Sequence, residues 1–151
     1  MINPNPPKFK KLQDMPETLL ALIMEMWRRE LGDIPKNTSN LVVTYFDTIY
    51  TNNPIPEDLY IHEMVHYVRQ GAGKDESLAR TFCIRYCEDK KFRYQEELMA
   101  YKEQYKYILQ KKKMGRAQAF EVGKYLAKEL SSPKYGNICS FNQALTAIVN
   151  D

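Results

Sequence analysis

The spacing of apolar positions along the chain predicts six helices. In the first, apolar side chains recur at helical spacing after Pro16 and the pattern ends at Gly32. Pro56 favours the start of the second, because proline loses no needed donor there and the carboxylates that follow it stabilise the positive end of a helix. The predicted helices cover residues 18–31, 56–70, 76–87, 90–112 and 116–130, with a last one from Ser140.

β-branched and aromatic residues between the first two helices predict two short strands or a small hairpin. They occupy Leu41–Phe46 and Thr48–Tyr50, with Asp47 between them. The predicted fold class is therefore α+β and mostly α. The proline-rich residues 1–14 are expected to form an extended arm that can dock on a protein partner, and residues 15–151 to form a single domain.

Composition indicates which partners the protein is expected to bind and in which compartment it is expected to lie. The formal charge is +3, and the basic run Lys111–Lys113 is too short for a nucleic-acid footprint, so we expect no nucleic-acid binding. The longest apolar run, Leu19–Met24, is far shorter than a membrane span. Three cysteines favour a reducing compartment over a disulfide framework, which predicts a cytoplasmic protein without membrane association.

The segment HEMVH at residues 62–66 carries the clearest chemical signal. His62 and His66 are the only histidines of the chain, and residues four apart lie on one face of a helix. Both imidazoles can therefore reach one metal ion, and Glu63 directly follows the first of them. The alternative is an amphipathic helix with two solvated or hydrogen-bonded histidines.

Helical geometry also divides the second helix into two faces. At 100° per residue, the histidines and Arg69 share one side, with Glu63 and Gln70 flanking it. The neighbouring side is apolar and is expected to enter the core. It is formed by Ile61, Met64, Val65 and Val68.

A catalytic zinc site needs a third protein ligand, and the fourth helix offers Glu97. Glu97 lies on a partly apolar, aromatic face, whereas Glu96 is expected to point toward the polar side. A carboxylate on a packed face needs a positive partner, and a divalent metal is one. Two alternatives stay open. Glu97 could pair with Arg93, or a metal could be held by Cys83, Cys87 and Cys139.

The combination of HExxH with a downstream Glu97-x-x-Ala100 resembles the gluzincin metallopeptidases, in which two histidines and a glutamate hold zinc. From Leu41 to the last helix, the chain also resembles short HExxH proteins encoded by bacteriophages. The resemblance implies a minimal zincin-like fold and a host-cytoplasmic or virion location.

The same resemblance implies a peptidase mechanism. His62, His66 and Glu97 would bind Zn²⁺, and Glu63 would take a proton from the attacking water. The substrate would be a peptide or protein. In several gluzincins an aspartate four residues after the ligand glutamate orients the first histidine. Here that position is Tyr101, which would serve as the acceptor or as an oxyanion donor, and Arg69 is the other candidate supporting group.

Two further expectations concern the cleft and an alternative function. A substrate would lie along Leu41–Phe46 as an added strand, and the cleft would be either shallow or covered by helices five and six. The alternative is a non-enzymatic structural or assembly protein of the virion type that retains the fold. The N-terminal arm, the short chain and Tyr101 in place of an acidic residue favour it.

Overall fold

The computed structural model describes residues 5–150, in which six helices pack with a small three-stranded sheet. The protein is thus α+β and mostly α, as predicted. No described helix has both the length and the apolar character needed to cross a membrane. The strands are β1 (Lys8–Lys10), β2 (Val42–Tyr45) and β3 (Thr48–Thr51), and the helices are α1 (Glu17–Leu31), α2 (Glu57–Arg69), α3 (Glu76–Glu88), α4 (Lys90–Lys112), α5 (Arg116–Leu130) and α6 (Phe141–Val149).

Side chains at the helix starts explain several of these bounds. Asp75 accepts a hydrogen bond from the backbone of Ser77, and Asp89 accepts one from the backbone of Phe92 at 3.1 Å. These contacts satisfy amide groups that a helix leaves free in its first turn. Ser140 begins α6, as predicted, and forms a capping box in which its side chain and that of Gln143 each bond the other's backbone amide.

The sheet has the order β1-β3-β2, so β2 lies at one edge. β2 and β3 form the predicted hairpin, and β1 pairs in parallel with β3. Part of the predicted N-terminal arm is therefore an edge strand of the sheet. Residues 1–4, where the arm begins, lie outside the described residues.

The apolar core is divided around α2. One cluster joins α4, α5 and α6 through Tyr101, Leu126 and Ile148. Others join α1 and α3, and extend to the hairpin through Leu19 and Tyr45. α2 lies between these clusters, with α4 on one side and β2 on the other.

The buried face of α2 is the polar one, so the prediction that its apolar face enters the core was wrong. Val68 is 57% exposed and Ile61, Met64 and Val65 are only partly buried, whereas His62 is 1% exposed. The reason lies in α4, whose facing side is itself polar. Burying polar groups without partners would cost several kcal/mol each, but here they meet one another across the interface. The buried residues of this interface are His62, Glu63, His66 and Gln70 of α2 and Glu96, Glu97 and Gln104 of α4.

Candidate metal centre

Three side chains of the α2–α4 interface converge on one point. His62 Nε2 lies 3.2 Å from His66 Nε2 and 3.2 Å from Glu97 Oε1. His66 Nε2 lies 3.3 Å from Glu97 Oε2. Among residues 5–150, His62, His66 and Glu97 form the only cluster of three potential metal ligands. The structure thus brings together the three residues that the sequence selected.

The spacing of this cluster fits a tetrahedral zinc ion. Ligand bonds of 2.0–2.1 Å at tetrahedral angles place neighbouring donor atoms about 3.3 Å apart. The two imidazole Nε2 atoms lie 3.2 Å apart, close to that value, and each faces its own oxygen of the Glu97 carboxylate at a similar distance. Two imidazoles and one carboxylate are donor types that zinc accepts, and three protein ligands leave a fourth position for water or substrate. The residues present therefore fit the metal that the resemblance implies.

Electrostatics favour a cation between these groups. Burial alone would lower the pKa of His66, but the adjacent Glu97 carboxylate outweighs it and raises that pKa to about 9. Burial would likewise raise the pKa of Glu97, yet the facing histidines hold it well below its usual range. The negative charge of Glu97 thus attracts either a proton or a metal ion to the cluster.

Tyr86 holds the Glu97 carboxylate in place. Its hydroxyl donates to Glu97 Oε2 at 2.5 Å, and burial raises the pKa of this phenol well above its usual value, so it remains a donor. Arg93 does not pair with Glu97. Its guanidinium donates instead to the backbone oxygens of Tyr86 and Cys87, at 2.7 and 3.1 Å. The proposed alternative of a Glu97–Arg93 ion pair is therefore wrong.

Glu96 also departs from the prediction. It was expected to point toward the polar side of α4 but is 2% exposed, since Arg69 reaches over from α2 to neutralise it. Arg69 Nε lies 2.9 and 3.2 Å from the two carboxylate oxygens. Arg69 therefore supports the α2–α4 interface beside the cluster.

The residue that contacts His62 Nδ1, the ring nitrogen that faces away from the cluster, is not the one that was predicted. Its Nδ1 lies 3.1 Å from Gln104 Oε1, whereas Tyr101 was predicted as the acceptor. The Tyr101 ring packs edge-on against the imidazole at 4.3 Å between ring centroids, and its hydroxyl lies 2.7 Å from that of Tyr135. Tyr101 thus fixes the ring by packing. As an oxyanion donor it stays a prediction.

Glu63 is held by the neighbouring strand. Its Oε1 accepts a hydrogen bond from Thr44 Oγ1 of β2 at 2.7 Å. Its Oε2 lies 3.8 Å from His62 Nε2 and so faces the cluster. Thr44 was not selected from the sequence, because a threonine in a strand gives no sign of which helix it will face.

A cavity of about 90 Å³ adjoins the cluster and is large enough to hold water. His62, Glu63, His66 and Glu97 lie at its polar end, while α1 and α3 supply apolar walls that include Trp27. The 3-10 turn Pro133–Tyr135 borders it and is anchored by a 2.9 Å hydrogen bond from Trp27 Nε1 to the Lys134 carbonyl. Of the two alternatives for the cleft, a cover formed by helices five and six is wrong, because neither helix lines the cavity and both pack elsewhere on α4.

The cysteines do not form a second metal site among the described residues. Cys83 and Cys87 lie on α3, and Cys139 packs against the separate α4–α5–α6 cluster. Burial raises the pKa of Cys83 to about 12 and that of Cys87 to about 11. Both thiols therefore stay neutral, and their placement in the wall of the cavity is a packing role.

Comparison of the chain with protein-family models, curated proteins and solved structures finds no match in any of the three.

Proposed function

We propose that this protein is a zinc-dependent hydrolase, and specifically a metallopeptidase. The observation that carries the proposal is the buried cluster of His62, His66 and Glu97, in which the two Nε2 atoms lie 3.2 Å apart and each lies 3.2–3.3 Å from one oxygen of the carboxylate. A structural zinc site normally closes its coordination with four protein ligands. Three ligands next to a cavity favour a catalytic site instead.

Each residue of the site has a distinct role in this reaction. When bound, zinc supplies Lewis acidity, which lowers the pKa of a water and polarises a carbonyl. Glu63 acts as general base through Oε2, which faces the cluster while Thr44 occupies Oε1. Tyr86 keeps Glu97 oriented and ionised as a ligand.

The edge position of β2 supplies a place for an extended peptide. Side chains and backbone of this strand border the cavity, so a substrate pairing with it would bring its backbone to the cluster. Gln70 already bonds the Thr44 carbonyl and the Phe46 amide, at 2.7 and 2.9 Å. Pairing with substrate is therefore restricted to the part of β2 around Val42.

Metal content tests the first half of the proposal. Protein purified with zinc present should contain one zinc per chain by mass spectrometry, and His62→Ala and Glu97→Ala should each lose it. Glu103→Ala is the matched control, because Glu103 lies on α4 but is exposed and pairs with Lys106. Wild-type protein without zinc after this treatment overturns the proposal.

Hydrolysis tests the second half. Wild type, Glu63→Gln and Glu57→Gln are incubated with a mixture of unstructured peptides, and the products are identified by mass spectrometry. Glu63→Gln should retain zinc and lose cleavage by roughly 100-fold or more. Glu57→Gln, which removes an exposed carboxylate from the same helix, should cleave like wild type.

A non-enzymatic structural protein is the second candidate. The observation that favours it is the burial of the cluster, in which His66 is the most exposed ligand at 7%. Zinc bound by both wild type and Glu63→Gln, with no cleavage by either protein, would establish this candidate and exclude the peptidase.

A further inference from the structure

On the side of His62 that faces away from the cluster, two polar side chains form a chain of hydrogen bonds, first Gln104 and then Asp58. His62 Nδ1 lies 3.1 Å from Gln104 Oε1, and Gln104 Nε2 donates to Asp58 Oδ2 at 2.8 Å. The contact between His62 and Gln104 is buried, with Gln104 4% exposed, whereas Asp58 is partly exposed. The ionised carboxylate of Asp58 can only accept, which turns the amide nitrogen toward Asp58 and the amide oxygen toward His62.

That orientation determines which imidazole nitrogen carries the proton. The amide oxygen of Gln104 can only accept, so His62 Nδ1 must donate. The Nε2 atom of a neutral His62 then keeps its lone pair, which is directed at the cluster 3.2 Å from His66 Nε2. This is the form in which an imidazole ligates a metal, with its other nitrogen bound to a fixed acceptor.

We propose that Gln104 and Asp58 are positioning residues that hold His62 in its metal-binding form and thereby set the affinity of the site for zinc. The inference rests on the proposed metal site. Asp58 lies one turn before His62 on α2, and Gln104 lies on α4 two turns beyond Glu97. We call the hydrogen-bonded chain from His62 through Gln104 to Asp58 the relay. The relay also connects the two helices that carry the ligands.

Zinc affinity, measured by competition with a chelating dye, tests this relay. Gln104→Leu should weaken binding roughly 10–100-fold, the usual effect of losing a partner of a metal-bound histidine. Asp58→Ala should weaken it up to about tenfold, because Gln104 then keeps its contact but loses its orientation. Asp58→Asn should bind like wild type, since its amide oxygen still accepts from Gln104. Glu57→Ala, which removes the neighbouring carboxylate of the same first turn, is the matched control.

The double variant Asp58→Ala/Gln104→Leu separates a relay from two independent effects. If Asp58 acts through Gln104, the double variant should bind zinc no more weakly than Gln104→Leu alone. Additive losses would overturn the relay. If Gln104→Leu does not fold, as judged by circular dichroism, the contrast between Asp58→Ala and Asp58→Asn decides the question.

Nuclear magnetic resonance of the imidazole nitrogens supplies a readout that a purely structural role would not change. The chain has only two histidines, so their signals are readily assigned. The zinc-bound wild type should show a slowly exchanging His62 Nδ1 proton, which Gln104→Leu loses and Glu57→Ala keeps. Unchanged affinity in Gln104→Leu and Asp58→Ala beside a zinc-binding wild type overturns this inference alone. A wild type that binds no zinc overturns the proposed function as well.

Discussion

At the scale of single residues, the most exacting requirement is a partner for each buried charge. Glu96 is 2% exposed, and Arg69 is the residue that neutralises it. Arg69→Met should destabilise the fold by about 2 kcal/mol. This value lies between those for exposed and fully buried pairs, because the Arg69 side chain is 48% exposed.

Urea unfolding measures this loss. The matched control is Arg80→Met, because Arg80 pairs with Glu76 where both side chains are at least half exposed, at 61% and 50%. That variant should lose less than about 0.5 kcal/mol. Equal losses in the two variants would show that Glu96 needs no partner.

A second prediction at this scale concerns the phenol of Tyr135, which borders the cavity. Burial raises the pKa of both Tyr101 and Tyr135 well above the usual value, so both remain donors. If the enclosed Tyr101 donates to Tyr135, the proton of Tyr135 is free to stabilise a developing oxyanion. Under the proposed function, Tyr135→Phe should lower kcat by about 100-fold while zinc stays bound.

The comparison with Tyr101→Phe sharpens this prediction. Tyr101 packs against His62 but does not border the cavity, so its loss of a hydroxyl should lower kcat less than the loss in Tyr135→Phe. Steady-state kinetics and zinc content of both variants are the measurements. A larger effect in Tyr101→Phe would assign the oxyanion role to Tyr101 instead.

At the scale of elements, Gln70 joins α2 to the hairpin. Its amide pairs with the Thr44 carbonyl and the Phe46 amide, as a neighbouring strand would. Phe46 occupies the turn with a φ of 56°, a conformation unfavourable for a residue with a side chain. Gln70→Ala would leave both backbone groups without partners and should destabilise the protein by about 2 kcal/mol.

Hydrogen exchange locates this effect. In Gln70→Ala the amides of β2 and its turn should lose protection, while those of α5 and α6 should exchange as in wild type. Uniform loss of protection through the whole chain would instead indicate a global effect and contradict a local role for Gln70.

The bounds of the elements were predictable because local residues determine them. α4 and α5 begin and end where the sequence predicted, and the capping box of α6 is visible in Ser140 and Gln143. The buried face of α2 was not predictable by the same means. Its apolar stripe includes Val68, which is exposed, because the face that is buried depends on what α4 presents to it.

At the scale of the whole molecule, the meeting of His62, His66 and Glu97 could be predicted, whereas the groups that contact them could not. Glu97 shares a helical face with apolar residues, and a carboxylate on such a face indicated a buried positive partner. Asp58 and Gln104 are 46 residues apart and meet only once α2 and α4 pack together. One signal was available, since Asp58 lies one turn before His62 on the same side of α2. Nothing local identifies Tyr86 or Tyr135, because their roles come from the packing of α3 and the turn.

The distribution of His62, His66 and Glu97 over two helices predicts how zinc should affect the stability of the fold. Under the proposed function two ligands lie on α2 and one on α4, so the complete site exists only when these helices are packed and zinc should bind the folded state. At a free zinc concentration 100 times Kd, the stabilisation should be about 2.7 kcal/mol, which raises Tm by roughly 5–10 °C. Calorimetry across a zinc series should show this shift in wild type and in Glu103→Ala but not in Glu97→Ala. An equal shift in Glu97→Ala would mean that zinc stabilises the protein from another site.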